Sequence, residues 1–300
     1  MNRLHLNRVA SGRLAALFDD SREAEAMLAA DPGLHNIVGL ERAFAADPRA
    51  MDFLNSDSPF FHLKQLSTRL YLDFFWPAIE SVAIDAHVLD AGCGVGRFTL
   101  PLAKRFAHVT AFDACPSPLD ACESHLREAK LGNVDLQWAD FAWLDELPAA
   151  SFDLICAVEV LCYTAEAPAA LQRLTRVAKP GAPLLLSVEA QPGALCGQAM
   201  EPAQLAAVLA GNPLFLAHDR WVRYYDRAAV AELLTGCGWR NMHLAGSHYL
   251  AEGAFWQAMD DRRLDDPAYV ERIVAVENLC REHPLARDLA RVLCAIARKE

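Results

Sequence analysis

Between positions 86 and 189, short apolar runs alternate with stretches in which apolar residues recur every three or four positions. Runs of the first kind, bounded by turn residues, predict strands buried on both faces, and the longer rhythm predicts amphipathic helices. The strands are expected at about 88–89, 108–112, 134–138, 152–159 and 184–189, and helices at about 118–130 and 168–178. Gly132 ends the first of these helices and Lys179-Pro180-Gly181 the second. Strand and helix in strict alternation make a doubly wound α/β sheet, parallel and covered on both faces.

The flanks follow other rhythms. Residues 1–80 are expected to form a helical annex: Ser11 can cap a helix reaching Ala30, Asp31-Pro32-Gly33 breaks it, and further helices fall at 34–46 and 48–54. Leu63, Leu66, Leu70, Tyr71, Phe74 and Phe75 then make a broad apolar helical face. This face either packs on the core or roofs the ligand, with His62, Arg69 or Tyr71 reaching it. Residues 191–225 concentrate Phe215, His218, Trp221, Tyr224 and Tyr225 among helix breakers, and are expected to be a lid over the substrate. In 226–300, Asp226 caps a helix to about Leu234, a sixth strand is expected at 239–249, a helical insertion at 253–289, and a last apolar strand at 292–298.

The run around which these elements are arranged is Asp90-Ala-Gly-Cys-Gly-Val-Gly96, between the first strand and its helix. Glycine on alternate positions permits a sharp turn with positive φ and lets a ligand lie on the main chain where a Cβ would collide. The dinucleotide fingerprint requires its third glycine three residues after the second, where this chain has Arg97. The loop is a ligand cradle of a different spacing.

Composition narrows the partners. The chain has 300 residues, 53% hydrophobic and 22% charged, with a formal net charge of −11, which opposes nucleic-acid binding because that needs a basic stripe. No apolar run is long enough to span a bilayer, and the amino-terminal residues lack the apolar core of a secretory signal, so a cytoplasmic protein without membrane association is expected. Nine cysteines show no CxxC pair and no cluster at zinc spacing. Reduced thiols and no metal are expected; Cys93, inside the turn, has no base nearby in sequence to make it a nucleophile.

Asp90 to Gly96 resembles the nucleotide-loop motif of class I S-adenosylmethionine-dependent methyltransferases, and the likeness extends over residues 80 to 190. It implies a Rossmann-like, seven-stranded sheet whose last strand, 292–298, runs antiparallel between the fifth and sixth. It also implies S-adenosyl-L-methionine as cofactor, with Asp90, Gly92, Cys93, Gly94 and Gly96 beside its methionine and ribose. Asp113, with Ala114 after it, ends the second strand about twenty residues beyond the loop, where a carboxylate can hold both ribose hydroxyls; it can also cap the helix that starts near Pro116. Asp140 and Phe141 are expected at the adenine, one accepting from its amino group and the other packing on its face. Glu159 and Tyr163 close the fourth strand, on the floor between cofactor and substrate. Glu159 and Glu189 stand near the ends of neighbouring strands, where they can attract a cationic amine, share a metal, or serve only as capping and hydrogen-bonding groups.

Methyl transfer from a sulfonium is an in-line displacement that chiefly needs alignment and exclusion of water. An acceptor hydroxyl or protonated amine adds the need for a base, for which His218 is the first candidate, then Tyr163 and Glu159. The resemblance thus implies transfer to an oxygen, nitrogen or carbon atom of a small molecule. The alternatives are a non-catalytic scaffolding subunit that keeps the fold, a reaction using the sulfonium without methylation, and a nicotinamide oxidoreductase. Arg97 and Asp140-Phe141 oppose the last.

Overall fold

The computed structural model describes residues 5–7, 12–18, 22–30, 33–197, 200–215 and 220–300. The amino-terminal part comprises β1 (His5–Asn7), α1 (Gly12–Leu17), α2 (Arg22–Ala30), α3 (Leu34–Ala46), α4 (Pro48–Met51) and α5 (Phe61–Glu80). The core continues with β2 (His87–Ala91), α6 (Thr99–Arg105), β3 (His108–Asp113), α7 (Pro116–Glu128), β4 (Val134–Trp138), β5 (Leu154–Val158), α8 (Ala167–Val177) and β6 (Pro183–Glu189). Then come α9 (Gln191–Gly197), α10 (Pro202–Leu209), β7 (Leu214–Phe215), β8 (Trp221–Val222), α11 (Arg227–Gly236), β9 (Trp239–Ser247), α12 (Pro267–Glu282) and β10 (Val292–Lys299).

The strands lie in the order β1-β4-β3-β2-β5-β6-β10-β9. From β4 to β6 every pair is parallel, and β10 enters antiparallel between β6 and β9, with Cys294 opposite both Ser187 and Ala245. The seven strands expected from the resemblance are therefore present in the expected order, last strand included. β2 has β3 on one side and β5 on the other, so the chain leaves it in opposite directions and a crevice opens at the carboxyl ends.

One strand corrects the expectation of helices alone in residues 1–80. His5–Asn7 adds β1 to the sheet edge, parallel to Asp135–Gln137 of β4. Three residues carry no period of their own; the open edge of β4 determines their extended form. The expected helix from Ser11 to Ala30 is two helices, α1 and α2, with Ser11 itself outside the described residues. The insertion at 253–289 holds one long helix, α12, preceded by short 3-10 turns at Trp256–Ala258 and Asp261–Arg263.

The sheet is covered on both sides. Ala170, Leu171, Leu174 and Val177 form one face of α8 and meet Leu184, Leu186 and Trp239, as the 3.6-residue spacing requires. On the other face, Tyr71, Phe75 and Ile79 of α5 pack with Val88, Leu126 and Leu185. The apolar face of α5 thus packs on the core. Leu66 and Leu70, nearer its start, pack with Tyr249 and Ile273, which fastens α12 to the same helix. Asp226 caps α11 as expected, accepting from Ala229 N at 2.7 Å.

Candidate active site

The glycine turn is stitched to the end of the neighbouring strand. Gly92 and Cys93 N–H groups both donate to Phe112 O at 2.9 Å, and Gly94 N–H donates to Asp113 Oδ2 at 2.8 Å. Asp113 Oδ1 accepts from Cys115 N–H at 2.9 Å. Burial pushes the Asp113 carboxyl above its ordinary range, and the N–H groups of Cys115 and Gly94 oppose that rise. A Cβ on Gly92 would sit 2.6 Å from Val160 Cγ2, whereas one on Gly94 would meet nothing within 4 Å. Gly94 therefore presents bare backbone to open space.

That space is a cavity of about 560 Å³ at the carboxyl end of the sheet, within the range of small-molecule sites. At one end stand Asp113, Ala114, Asp140 and Phe141. Asp140 Oδ1 accepts from Ala142 N–H at 2.9 Å, and Phe141 meets Phe112 edge to face with centroids 5.5 Å apart. Ile37, Leu40 and Phe44 of α3 form an apolar roof. Asn36 holds this roof in place: its Nδ2 donates to Tyr163 O at 2.8 Å and Trp221 O at 2.9 Å, and its Oδ1 accepts from Trp221 N–H at 2.6 Å.

The other end is ionic. Arg97 Nη1 donates to Glu159 Oε2 at 2.9 Å, and Arg291 Nη2 to Glu159 Oε1 at 3.0 Å and Glu189 Oε1 at 2.6 Å. Lys64 binds both oxygens of Glu252, at 2.9 and 2.8 Å. Burial works against charge on Glu159, but Arg291 and Arg97 prevail and hold it far below the usual carboxylate range. Glu189 moves the other way, raised by burial and by Glu159 against the pull of Arg291. Arg97 also donates to Thr68 Oγ1 at 2.7 Å and Ser67 Oγ at 2.6 Å. Ser67 in turn shares a 2.6 Å hydrogen bond with buried His248, which burial and Arg291 keep neutral.

Of the residues expected at the cofactor, Gly92, Cys93, Gly94, Asp113, Ala114, Asp140, Phe141 and Glu159 line this one cavity, and Tyr163 joins them. Asp90 and Gly96 lie behind its wall: Asp90 accepts from Thr99 Oγ1 at 2.6 Å, and Gly96 faces Cys122. His218 lies outside the described residues. Cys93 and Cys122 pack together, and their contact and burial raise the Cys93 thiol well above its ordinary value. On α5, His62 is exposed, Arg69 faces outward to Glu271, and Tyr71 is wholly buried, so Lys64 is the residue of that helix on the cavity wall. Trp221, Tyr224 and Tyr225 pack into the core, and Arg220 reaches the cavity. Arg291, Lys64 and Asn36 escaped the sequence argument. The one local signal for Arg291 is a charge standing immediately before the apolar run of β10.

Comparison with known proteins agrees with this geometry. Residues 89–186 match a family model described as a methyltransferase domain. A ubiquinone biosynthesis O-methyltransferase of Hahella chejuensis is 36% identical over 100 residues, which is 33% of this chain and 42% of that protein. An S-adenosyl-L-methionine-dependent Diels-Alderase of Talaromyces variabilis is 33% identical over 112 residues, 36% of this chain and 38% of that one. The solved structure of an S-adenosylmethionine-dependent methyltransferase from Mesorhizobium loti superposes with a TM-score of 0.52 at 18% identity, covering 75% of this chain and 97% of that one. Residues 89–186 thus match a methyltransferase domain, and the chain shares its fold with the solved S-adenosylmethionine-dependent methyltransferase. The match spans less than half the length of these curated relatives. No described helix is long and apolar enough to cross a membrane.

Proposed function

We propose that the chain is an S-adenosylmethionine-dependent methyltransferase whose acceptor is an oxygen, nitrogen or carbon atom of a small molecule. The observation that carries this is the open backbone of Gly94 on the cavity wall, bonded to the Asp113 carboxylate that ends the next strand. Gly92, Cys93 and Gly94 fit the amino-acid part of the cofactor, Asp113 and Ala114 its ribose, and Asp140 with Phe141 its adenine. When bound, the cofactor supplies a methyl group already activated on a sulfonium. The chain then has to hold the acceptor in line and keep water out. The α3 roof pinned by Asn36 supports the second task, and Arg220 supports residues 191–225 as a lid.

Glu159, each oxygen of which accepts from an arginine, is a positioning residue. Tyr163 Oη lies 3.4 Å from Glu189 Oε1. Glu189, raised by burial, suits the uptake of an acceptor proton through Tyr163. All nine cysteines are free thiols, which supports a reducing, cytoplasmic setting.

Calorimetric titration with S-adenosylmethionine, S-adenosylhomocysteine and NADH tests the proposal. Binding of the first two alone is expected; binding of NADH alone would overturn it. The Diels-Alderase among the relatives makes product mass the second readout. Methyl transfer adds one methylene-equivalent, and a cycloaddition leaves the mass unchanged.

A further inference from the structure

The charged end of the cavity is asymmetric. Lys64, Arg97 and Arg291 line it, whereas Glu189 and Glu252, two of the three carboxylates that balance them, stand behind the wall. Glu159 does reach the wall, but each of its oxygens already accepts from an arginine. A cationic amine entering here would meet one carboxylate of this cluster on the wall, Glu159, whose charge two arginines already offset.

An anion would find donors. Arg291 uses Nη2 alone for both Glu159 and Glu189; its Nη1 is 3.7 Å from Glu252, beyond hydrogen-bonding distance, and its Nε makes no hydrogen bond among the described residues. The surroundings hold this side chain firmly. Glu159, His248 and Glu252 take φ of +57°, +63° and +60°, three of the six described non-glycine residues in that region. Side chains persist there when their environment over-determines them. Arg291 enters from the residue before β10 and meets the ends of β5 and β6, across the crevice from the Asp113 end of the cavity.

We propose that the unused donors of Arg291, backed by Lys64 and Arg97, bind a carboxylate of the methyl acceptor, so that the acceptor is a small organic acid and not an amine. This rests on the methyltransferase assignment above. A carboxylate can reach Arg291 from two sources, the acceptor or the amino-acid end of the cofactor, and the experiment separates them.

Calorimetry on the full chain first compares S-adenosylhomocysteine with 5′-methylthioadenosine, which lacks the amino-acid part, in wild type and Arg291→Gln. Both affinities are expected to survive the substitution. Protein saturated with S-adenosylhomocysteine is then titrated with benzoate, phenylacetate and hexanoate, and with benzylamine and hexylamine. At least one acid is expected to bind, and to weaken about tenfold or more in Arg291→Gln through loss of a charge-assisted hydrogen bond.

Failure of wild type to bind S-adenosylhomocysteine would remove the methyltransferase assignment itself, and this proposal with it. Weaker S-adenosylhomocysteine with unchanged 5′-methylthioadenosine would give Arg291 to the cofactor and overturn the proposal alone. So would tight binding of an amine, binding of no acid, or acid binding indifferent to the substitution. Should Arg291→Gln not fold, the acid that binds wild type is compared with its neutral amide. Equal affinity for the two overturns the proposal.

Discussion

Gly92→Ala and Gly94→Ala separate the two tasks of the glycine turn. Both residues have positive φ, +71° and +52°, so each alanine incurs about 1–2 kcal/mol of backbone strain. At Gly92 the new methyl would also sit 2.6 and 2.9 Å from the Cγ atoms of Val160, which adds about 1–3 kcal/mol of overpacking. The expected loss of stability is then about 2–5 kcal/mol for Gly92→Ala and about 1–2 kcal/mol for Gly94→Ala. In a chain of this size each kcal/mol lowers the melting temperature by about 1.5–2 °C. Ligand affinity should rank the variants in the opposite order. The Gly94 methyl projects into open cavity, where the cofactor is proposed to lie, and should weaken S-adenosylhomocysteine by about tenfold or more, equivalent to about 1.4 kcal/mol. Val160→Ala in the Gly92→Ala background should restore the overpacking part and leave the strain. Urea unfolding and calorimetry on the same samples give both quantities. Undiminished affinity in Gly94→Ala would refute the placement of the ligand over this turn, and equal instability of the two variants would refute the assignment of Gly92 to packing.

Three further outcomes are expected. Asp113→Ala should weaken S-adenosylhomocysteine by about 1–3 kcal/mol, through the lost ribose contacts and an unpaired Gly94 N–H; Asp113→Asn, which keeps an acceptor, should lose less, and calorimetry decides. Burial holds Asp90 at about 6 against the ordinary 3.8, with the Thr99 hydroxyl opposing. The folded state therefore binds this proton more tightly than the unfolded chain, and the stability it contributes is complete below 3.8 and lost as pH rises through about 6. Asp90→Asn should accordingly be more stable than wild type by up to about 3 kcal/mol at neutral pH, with the gap closing near pH 4; urea unfolding at several pH values would show no gap if the argument is wrong. Glu277, fully buried, accepts from the N–H groups of Tyr249 and Leu250 at 2.8 Å and of Ala251 at 3.1 Å. Glu277→Ala leaves all three without an acceptor and should cost about 3–5 kcal/mol in thermal unfolding, while Glu277→Gln, still an acceptor, should cost less than half as much.

What could be read in the sequence was what local periodicity and short-range chemistry encode. The runs at β2 to β6 were legible because strands buried on both faces are apolar throughout, and Gly94 with Asp113 because a turn and the end of the next strand are only about twenty residues apart. β10 was legible as a strand from its apolar run, but its antiparallel insertion came from the resemblance. The ionic half of the site was legible only in Glu159 and Glu189, through their place at the ends of neighbouring strands. Lys64, Arg97, Glu252 and Arg291 are brought to them by the sheet order and by α5, and none of the four could be placed beside those carboxylates from its position in the sequence. β1 was invisible for the same reason, since its conformation belongs to the open edge of β4. Expecting Glu159 and Glu189 to attract a cation followed from seeing two carboxylates without the arginines that face them.

Arg97 connects these two levels. In the sequence it stands where a dinucleotide fold needs its third glycine, and so opposes a nicotinamide site. In the structure the same side chain leaves the end of the glycine turn, binds Ser67 and Thr68 on α5, and grips Glu159 at the end of β5. Arg291 continues the chain from Glu159 to Glu189 at the end of β6. A bulky cation at position 97 is therefore the start of a bridge that joins the proposed cofactor turn to the strand ends where an acceptor would lie. The left-handed backbone of Glu159, at φ +57°, turns its carboxylate between the two arginines, and two charge-assisted hydrogen bonds, each worth about 1.5–3 kcal/mol, outweigh the strain of about 1–2 kcal/mol. The Arg97 half of this bridge ties the turn to Glu159 and the Arg291 half ties Glu159 to Glu189, so the proposed alignment of cofactor and acceptor has a physical basis in buried ion pairs.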